Sequence, residues 1–159
     1  MMAKRRKRKQ RKRTSKDVPA KGRLRDMADQ LWSLAVRCDW NWKCAVCGYQ
    51  QCEAHHVIPR QHEATRYELR NGIALCARHH QFDPVMSPHQ HAIGWIKWLS
   101  AQYPNVLEWS EGHIWDKFDG TTNADYYCQE IRILKSYVSC EDYVRVVGVK
   151  FAKWLEEND

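Results

Sequence analysis

The chain has no apolar run long enough to cross a membrane, and it shows no internal repeat and no low-complexity linker after residue 25. These absences argue against a membrane-spanning protein and against an array of repeats. No apolar signal-peptide segment precedes the cysteines, and seven is an odd count for a disulfide framework. We therefore expect a cytoplasmic protein whose cysteines bind metal or stay reduced.

Acidic residues are nearly absent from the first 25 positions, where Asp17 is the only one. The same segment holds 13 of the 26 Lys and Arg residues, and this leaves 13 basic against 18 acidic side chains, a net charge of −5, for the rest of the chain. A basic run such as residues 4–13 cannot bury a core and repels itself. We predict a disordered basic tail over residues 1–21 that binds a polyanion.

Two short pairs of metal-ligating residues lie a few dozen positions apart, Cys44 with Cys47 and Cys76 with His79. Each pair fits a tight turn, and the chain between the pairs can close a tetrahedral cage, which is what a structural zinc ion requires. We predict one zinc ion bound by these four residues. Disulfides between the cysteines are disfavoured by the Cys-x-x-Cys spacing.

Three histidines and an asparagine lie between and beside these pairs: His55, His56, Asn71 and His80. A purely structural zinc finger has no use for them. Cleavage of a phosphodiester needs an activated water and a cation that holds the phosphate and the leaving 3′ oxygen. A neutral imidazole, with an ordinary pKa of ~6.5, can act as the base. The combination therefore favours a phosphodiester hydrolase.

The stretch His55-His56-Val57-Ile58-Pro59, followed by residues 71–80, resembles the motif of the HNH nucleases. That family has a ββα-metal fold and includes phage endonucleases, homing enzymes and colicin-type DNases. The resemblance covers roughly residues 43–84. Most zinc-bearing members use four cysteines, whereas this chain offers His79 as the fourth ligand, and zinc accepts imidazole as readily.

The resemblance implies a role for each motif residue. His56 corresponds to the general base, and His55 and His80 correspond to ligands of the catalytic metal. Asn71 falls on the family's asparagine, and we expect it to hold the active-site loop or His56 by hydrogen bonds. Two protein ligands leave open positions for water and phosphate, with Asp83 as a candidate third ligand. We expect Mg²⁺ or Mn²⁺ before Ni²⁺ or Zn²⁺.

The pattern predicts the α+β class, with a zinc-stabilised ββα-metal unit embedded in a mostly helical small domain. Four segments follow: a tail at 1–21, a leading helix and aromatic turn at 22–42, the HNH unit at 43–84, and a helical C-terminal extension at 85–159. The sequence pattern predicts helices over 22–38, 76–82, 91–102, 125–138 and 143–155, and strands over 52–58 and 72–75. The segment 143–155 is Val-rich and alternates in places, so a strand is the alternative there. Four histidines without motif partners are expected in surface or structural roles: His62, His89, His91 and His113.

These observations predict a metal-dependent DNA endonuclease of phage or bacterial origin. A non-catalytic zinc-stabilised module that binds DNA or protein remains the alternative. A restriction nuclease that reads modified bases would need a separate reader domain, and none is evident. DNA is the expected polyanion for the basic tail, with a solvated or nuclear-targeting tail as the alternative.

The arrangement of tail, helix, HNH unit and helical extension is similar to phage recombination nucleases of the NinG kind. This likeness implies the cytoplasm of a bacterial host cell as the location. It also implies recombination or replication proteins, and a second copy of the chain, as candidate partners.

Overall fold

In the computed structural model, which describes residues 18–158, six α-helices surround one two-stranded sheet. The helices are α1 (Lys21–Asp39), α2 (Ala92–Gln102), α3 (Pro104–His113), α4 (Ala124–Lys135), α5 (Cys140–Val147) and α6 (Val149–Glu157). The strands are β1 (Cys52–His56) and β2 (Gly72–Cys76). This is the predicted α+β class. The predicted tail lies outside the described residues up to position 17, and α1 begins at Lys21 within its predicted end.

Helix α1 is the scaffold of the fold, as its apolar spacing predicted. Its residues Ala28, Leu31 and Ala35 are buried along one face because they recur every three or four positions. That face packs most extensively against α4, where Ile131 is fully buried. None of the helices in residues 18–158 is long and apolar enough to span a bilayer.

The sheet is antiparallel, with His55 opposite Ile73 and His56 opposite Gly72. Gly72 is required because a Cβ atom at this position would overlap the side chain of Val36 on α1. Strand β1 was predicted to reach Ile58 but ends at His56. The backbone N–H and C=O of Ile58 form hydrogen bonds with the side chain of Asn71 instead of with a neighbouring strand.

The helix predicted over residues 76–82 is a single π-helical turn, Arg78–Phe82, because Cys76 still pairs with Cys52 in the sheet. A 3₁₀ turn, Leu69–Asn71, leads into β2. The C-terminal segment predicted as one helix over 143–155 is two helices. Gly148, with φ +84°, breaks it, since this left-handed backbone region cannot continue a helix.

Helices α5 and α3 each begin at a residue that suits the start of a helix. Helix α5 begins at Cys140, and the Ser139 hydroxyl caps it by accepting a hydrogen bond from the backbone N–H of Asp142 at 3.1 Å. Helix α3 was not predicted from its spacing. It starts with Pro104 at its first position, where a missing N–H costs nothing.

Candidate functional site

The four predicted zinc ligands come together, with one ligand atom of each within 4.8 Å of the others. His79 Nδ1 lies 3.6 Å from Cys44 Sγ and 3.3 Å from Cys76 Sγ, and Cys47 Sγ lies 3.9 Å from Cys76 Sγ. Tetrahedral zinc places sulfur and nitrogen ligands about 3.6 Å apart and two sulfurs about 3.8 Å apart, given the usual bond lengths. The cluster is therefore compatible with a structural zinc ion.

A tight turn presents the first pair of these ligands. The Gly48 N–H donates to the Cys44 carbonyl at 2.8 Å, and Gly48 adopts φ +74°, which favours glycine. Burial raises the pKa of the Cys44 thiol, but backbone N–H groups of Cys76, Cys47 and Val46 outweigh it, so that the pKa is lowered. The thiolate is the form that binds metal, so the turn favours binding.

A second cluster consists of the imidazoles of His55, His80 and His89. His55 projects from β1, His80 from the π-helical turn, and His89 from the loop before α2. His80 Nε2 lies 3.1 Å from His55 Nδ1 and 3.2 Å from His89 Nε2. The predicted pair is thus brought together, with a third imidazole beside it.

Asp83, the predicted candidate for a third ligand, does not lie in this cluster. Its carboxylate accepts hydrogen bonds from the backbone N–H groups of Val85 and Met86 at 3.0 and 3.2 Å, and it pairs with Arg78 at 3.4 Å. Its role is to hold the turn after the HNH unit. We expected a surface or structural role for His89, but the structure places it beside His55 and His80. The local density of histidines is the one signal in the sequence that could have identified it.

The environment keeps His55 neutral and fixes the orientation of His80. Burial, together with the nearby His80 and His89, lowers the pKa of His55 to about 3. The Glu53 carboxylate accepts a hydrogen bond from His80 Nδ1 at 2.7 Å. Because a carboxylate only accepts, Nδ1 of His80 carries a proton, and Nε2 faces the other two imidazoles.

His56 lies at the end of β1 in a separate environment. Its Nε2 is 2.9 Å from the carbonyl oxygen of Arg66, and its ring stacks on Trp32 with centroids 3.6 Å apart and planes 9° apart. A carbonyl can only accept, so Nε2 carries the proton and Nδ1 carries the lone pair. Burial lowers the pKa of His56 to about 4, so the ring is neutral at neutral pH.

The carbonyl that orients His56 belongs to a buried arginine that forms an ion pair with the half-buried Asp29. The Arg66 guanidinium donates to both carboxylate oxygens of Asp29 on α1, at 2.9 and 2.7 Å, and to the Arg60 carbonyl at 2.6 Å. A bidentate pair of this kind fixes geometry as well as charge. Sequence patterns did not reveal it, because Asp29 and Arg66 are 37 positions apart.

Asn71 closes the loop between the two strands. Its Oδ1 accepts from the Ile58 N–H at 2.7 Å, and its Nδ2 donates to the carbonyls of Ile58 and Thr65, both at 3.0 Å. The side chain is fully buried. These three hydrogen bonds hold the active-site loop, one of the two roles expected from the sequence, and none of them reaches His56.

An open groove of about 440 Å³ joins these features. Its lining consists of Ala54, His55, His56, Pro59, Arg60, Gln61, His80 and His89. It therefore brings together the neutral imidazole of His56, the three clustered imidazoles, which could hold a metal ion, and the exposed Arg60. Such a groove can hold a phosphate ester and a cation together.

Comparison with protein families finds a match between residues 44–83 and the family described as HNH endonuclease. The match contains both pairs of zinc ligands and the motif residues His55, His56, Asn71 and His80, and it ends before His89. No curated protein and no solved structure matches the chain significantly. The match over residues 44–83 therefore supports a nuclease, and the HNH family implies a nucleic acid as the substrate.

Proposed function

We propose that this protein is a DNA endonuclease that hydrolyses phosphodiester bonds with one divalent metal ion, and that His56 is its general base. One observation carries the proposal. The same groove is lined by His56, whose free nitrogen is an acceptor, and by the imidazoles of His55 and His80, whose donor atoms lie 3.1 Å apart. Base and cation would then act on one phosphate from adjacent positions.

The tautomer of His56 suits the attack on the phosphate. Since its Nε2–H is bound to the Arg66 carbonyl, Nδ1 can accept a proton from a water molecule in the groove. When Nδ1 takes that proton, the ring becomes a cation, and the hydrogen bond to the carbonyl stabilises the charge. Stacking on Trp32 restricts rotation of the ring, so the acceptor keeps its direction.

The lowered pKa of His56 describes the protein without substrate. A base with a pKa of about 4 is neutral at neutral pH but accepts protons weakly. A phosphodiester bound in the groove brings negative charge close to the ring, which favours the protonated form and raises the pKa. Binding of substrate would therefore strengthen the base where it is needed.

The donor set of the second cluster fits a divalent ion, because neutral imidazole nitrogens are common metal ligands. His55 and His80 would hold the ion, and Asn71 would keep the loop between the strands in position. A bound divalent ion would supply Lewis-acid stabilisation of the phosphate and of the leaving 3′ oxygen. The exposed Arg60 at the edge of the groove is placed to contact a neighbouring phosphate.

A non-catalytic zinc module is a weaker account of these features. A structural zinc ion needs only the closed set of Cys44, Cys47, Cys76 and His79. It does not require the imidazole cluster, nor the carboxylate of Glu53 bound to His80. The second cluster therefore supports catalysis over binding alone.

The decisive experiment compares His56→Ala with His113→Ala. His113 is a matched control because, like His56, it bonds a backbone carbonyl and stacks on a tryptophan. Its Nδ1 bonds the carbonyl of Trp109 at 2.7 Å, and its ring stacks on the ring of Trp109. It does not line the groove. We expect His56→Ala to cut DNA ~10²- to 10⁴-fold more slowly in single-turnover assays, the usual loss for a general base.

Each variant is assayed on DNA duplexes, single strands and branched substrates, and on RNA of the same sequences. His113→Ala should retain the wild-type rate. Cleavage by His56→Ala at more than half the wild-type rate would refute the assignment of the base. Cleavage of RNA alone would refute the choice of DNA.

The basic tail supports the choice of a polyanionic substrate, since the rest of the chain is net acidic. Deleting residues 2–17 removes ten basic residues and Asp17 but leaves α1 intact. Each phosphate contact contributes about −0.9 to the slope of log affinity against log salt in duplex DNA. We expect the deletion to flatten this slope by several units and to leave the saturated rate of cleavage nearly unchanged. An unaltered slope would assign the tail to targeting or to a protein partner.

A further inference from the structure

Three imidazoles meet in the groove, although the HNH motif supplies two of them. His89 lies outside the matched residues 44–83, in the loop that leads from the π-helical turn to α2. Its ring centroid is 4.9 Å from that of His80 and 5.3 Å from that of His55. The third imidazole is thus a property of this chain beyond the family motif.

Ser87 links the backbone that carries His89 to the backbone that carries His80. Its hydroxyl donates to the His80 carbonyl at 2.7 Å and accepts from the His89 N–H at 3.2 Å and the Gln90 N–H at 3.3 Å. Ser87 is fully buried. Because this hydrogen-bonded turn is anchored in the interior, His89 is held near the cluster even though its side chain is exposed.

The spacing of the nitrogens fits a shared ion. The distances from His80 Nε2 to His55 Nδ1 and to His89 Nε2 are 3.1 and 3.2 Å. Nitrogen ligands about 2.0–2.1 Å from a tetrahedral metal are separated by about 3.3–3.4 Å, so a small adjustment suffices. The bond from His80 Nδ1 to Glu53 leaves Nε2 as an acceptor facing both neighbours.

The chemistry of the donors distinguishes among metals. Mg²⁺ prefers carboxylates, phosphates and water, whereas neutral imidazoles suit Zn²⁺, Ni²⁺ and related transition ions. The two metal-binding groups found in residues 18–158 contain no carboxylate. The nearest one, Glu53, contacts the opposite nitrogen of His80 and so supports a ligand without being one.

We propose that His89 completes a three-imidazole centre with His55 and His80, and that this centre binds a transition-metal ion such as Co²⁺, Ni²⁺ or Zn²⁺ in preference to Mg²⁺. The inference rests on the proposed function in one respect: the ion bound here is taken to be the ion used for cleavage. A tetrahedral ion with three protein ligands keeps one position open, which a phosphate oxygen or water can occupy.

The test measures metal binding directly, in the full chain with its zinc retained. After dialysis against a mild chelator, Co²⁺ and Mg²⁺ are titrated calorimetrically into the wild type, His89→Ala, Gln90→Ala and His55→Ala. Gln90 is the matched control because it is an exposed neighbour of His89 in the same turn. Zinc content is measured before and after each titration, and visible absorption separates imidazole-bound Co²⁺ from thiolate-bound Co²⁺.

We expect the wild type to bind Co²⁺ far more tightly than Mg²⁺, and His89→Ala to lose at least about tenfold in Co²⁺ affinity, a common loss for an altered metal site. Gln90→Ala should bind like the wild type. If His89→Ala binds Co²⁺ as the wild type does while His55→Ala is impaired, the third ligand is refuted and the two-ligand site of the proposed function stands. Wild-type affinity in His55→Ala would refute the metal site itself, and equal affinity for Mg²⁺ would refute the selectivity.

Discussion

The Cys/His cluster and the imidazole cluster share one small unit but differ in burial and in donor atoms. Cys44, Cys76 and His79 are buried, and their set of four ligands can close around an ion. His89 is exposed, and the three imidazoles open into the groove. Adjacent residues, His79 and His80, lie in different clusters because consecutive side chains of the π-helical turn point in different directions. A closed set of thiolate ligands suits a structural metal ion, and an open set of imidazole ligands suits a catalytic one.

Removing one thiolate ligand should have the largest effect and should distinguish the Cys/His cluster from the imidazole cluster most clearly. We expect Cys76→Ser to unfold or aggregate, because metal binding and folding are linked in small zinc units and the binding is worth about 10–16 kcal/mol. Cys52→Ser is the matched control, since Cys52 is buried and pairs with Cys76 across the sheet but is not a ligand. Circular dichroism and zinc analysis of both variants give the answer. A folded, zinc-free Cys76→Ser protein would refute the structural role.

Chelation should separate the two clusters without mutation. We expect a mild chelator to abolish cleavage reversibly while one zinc ion per chain and the thermal transition are retained, because the open cluster exchanges its ion more readily than the closed one. Elemental analysis and cleavage assays are performed on the same samples. Loss of all metal with cleavage unaffected would contradict both assignments.

The ligands of the open cluster should differ from the base in their response to metal. His55→Ala and His80→Ala should weaken metal binding about 10- to 100-fold, a range typical of altered metal sites, and excess metal should partly restore their cleavage. His56→Ala should not be restored, because its loss concerns the base rather than the ion. Cleavage is measured across a metal titration for each variant. Equal and metal-independent losses in all of them would show that the roles are wrongly assigned.

Asn71 holds the loop that follows β1. Removing its side chain leaves the Ile58 N–H and C=O without these partners and takes one hydrogen bond from the Thr65 carbonyl, which still accepts from the Glu68 N–H. Each hydrogen bond contributes about 0.5–1.5 kcal/mol. We expect Asn71→Ala to lower the free energy of unfolding by about 2–4 kcal/mol in urea titrations. Asn71→Asp keeps the acceptor but loses both donors and should be similarly destabilised. An unchanged midpoint in both variants would refute this role.

The pattern of apolar residues predicted the main helices well. Helix α1 was expected over residues 22–38 and is Lys21–Asp39, and α4 was expected over 125–138 and is Ala124–Lys135. Each helix buries one face, so its apolar residues recur at helical spacing and the helix can be predicted from the sequence. Helix α3 buries only Ser110, so its sequence has little periodicity to detect.

Local patterns predicted the motif but not its support. Ligand spacing and the resemblance identified His55, His56 and His80, because these residues lie close to each other in the sequence or in a fixed motif. Trp32, which stacks on His56, belongs to α1 and is part of no sequence motif. Its contact depends on how α1 packs against the sheet, which spacing within one segment does not specify.

The sequence by itself predicted the main helices, the two strands, the two Cys/His pairs and the residue proposed as the base, because each depends on spacing over a few residues. Tertiary structure alone decided that His89 joins His55 and His80, and that Glu53 orients His80. These contacts join segments that are distant in the sequence. Burial of α1 and β2 decides how close the segments come in space. Hydrophobic packing is not directional, so its outcome appears only when the whole core is assembled.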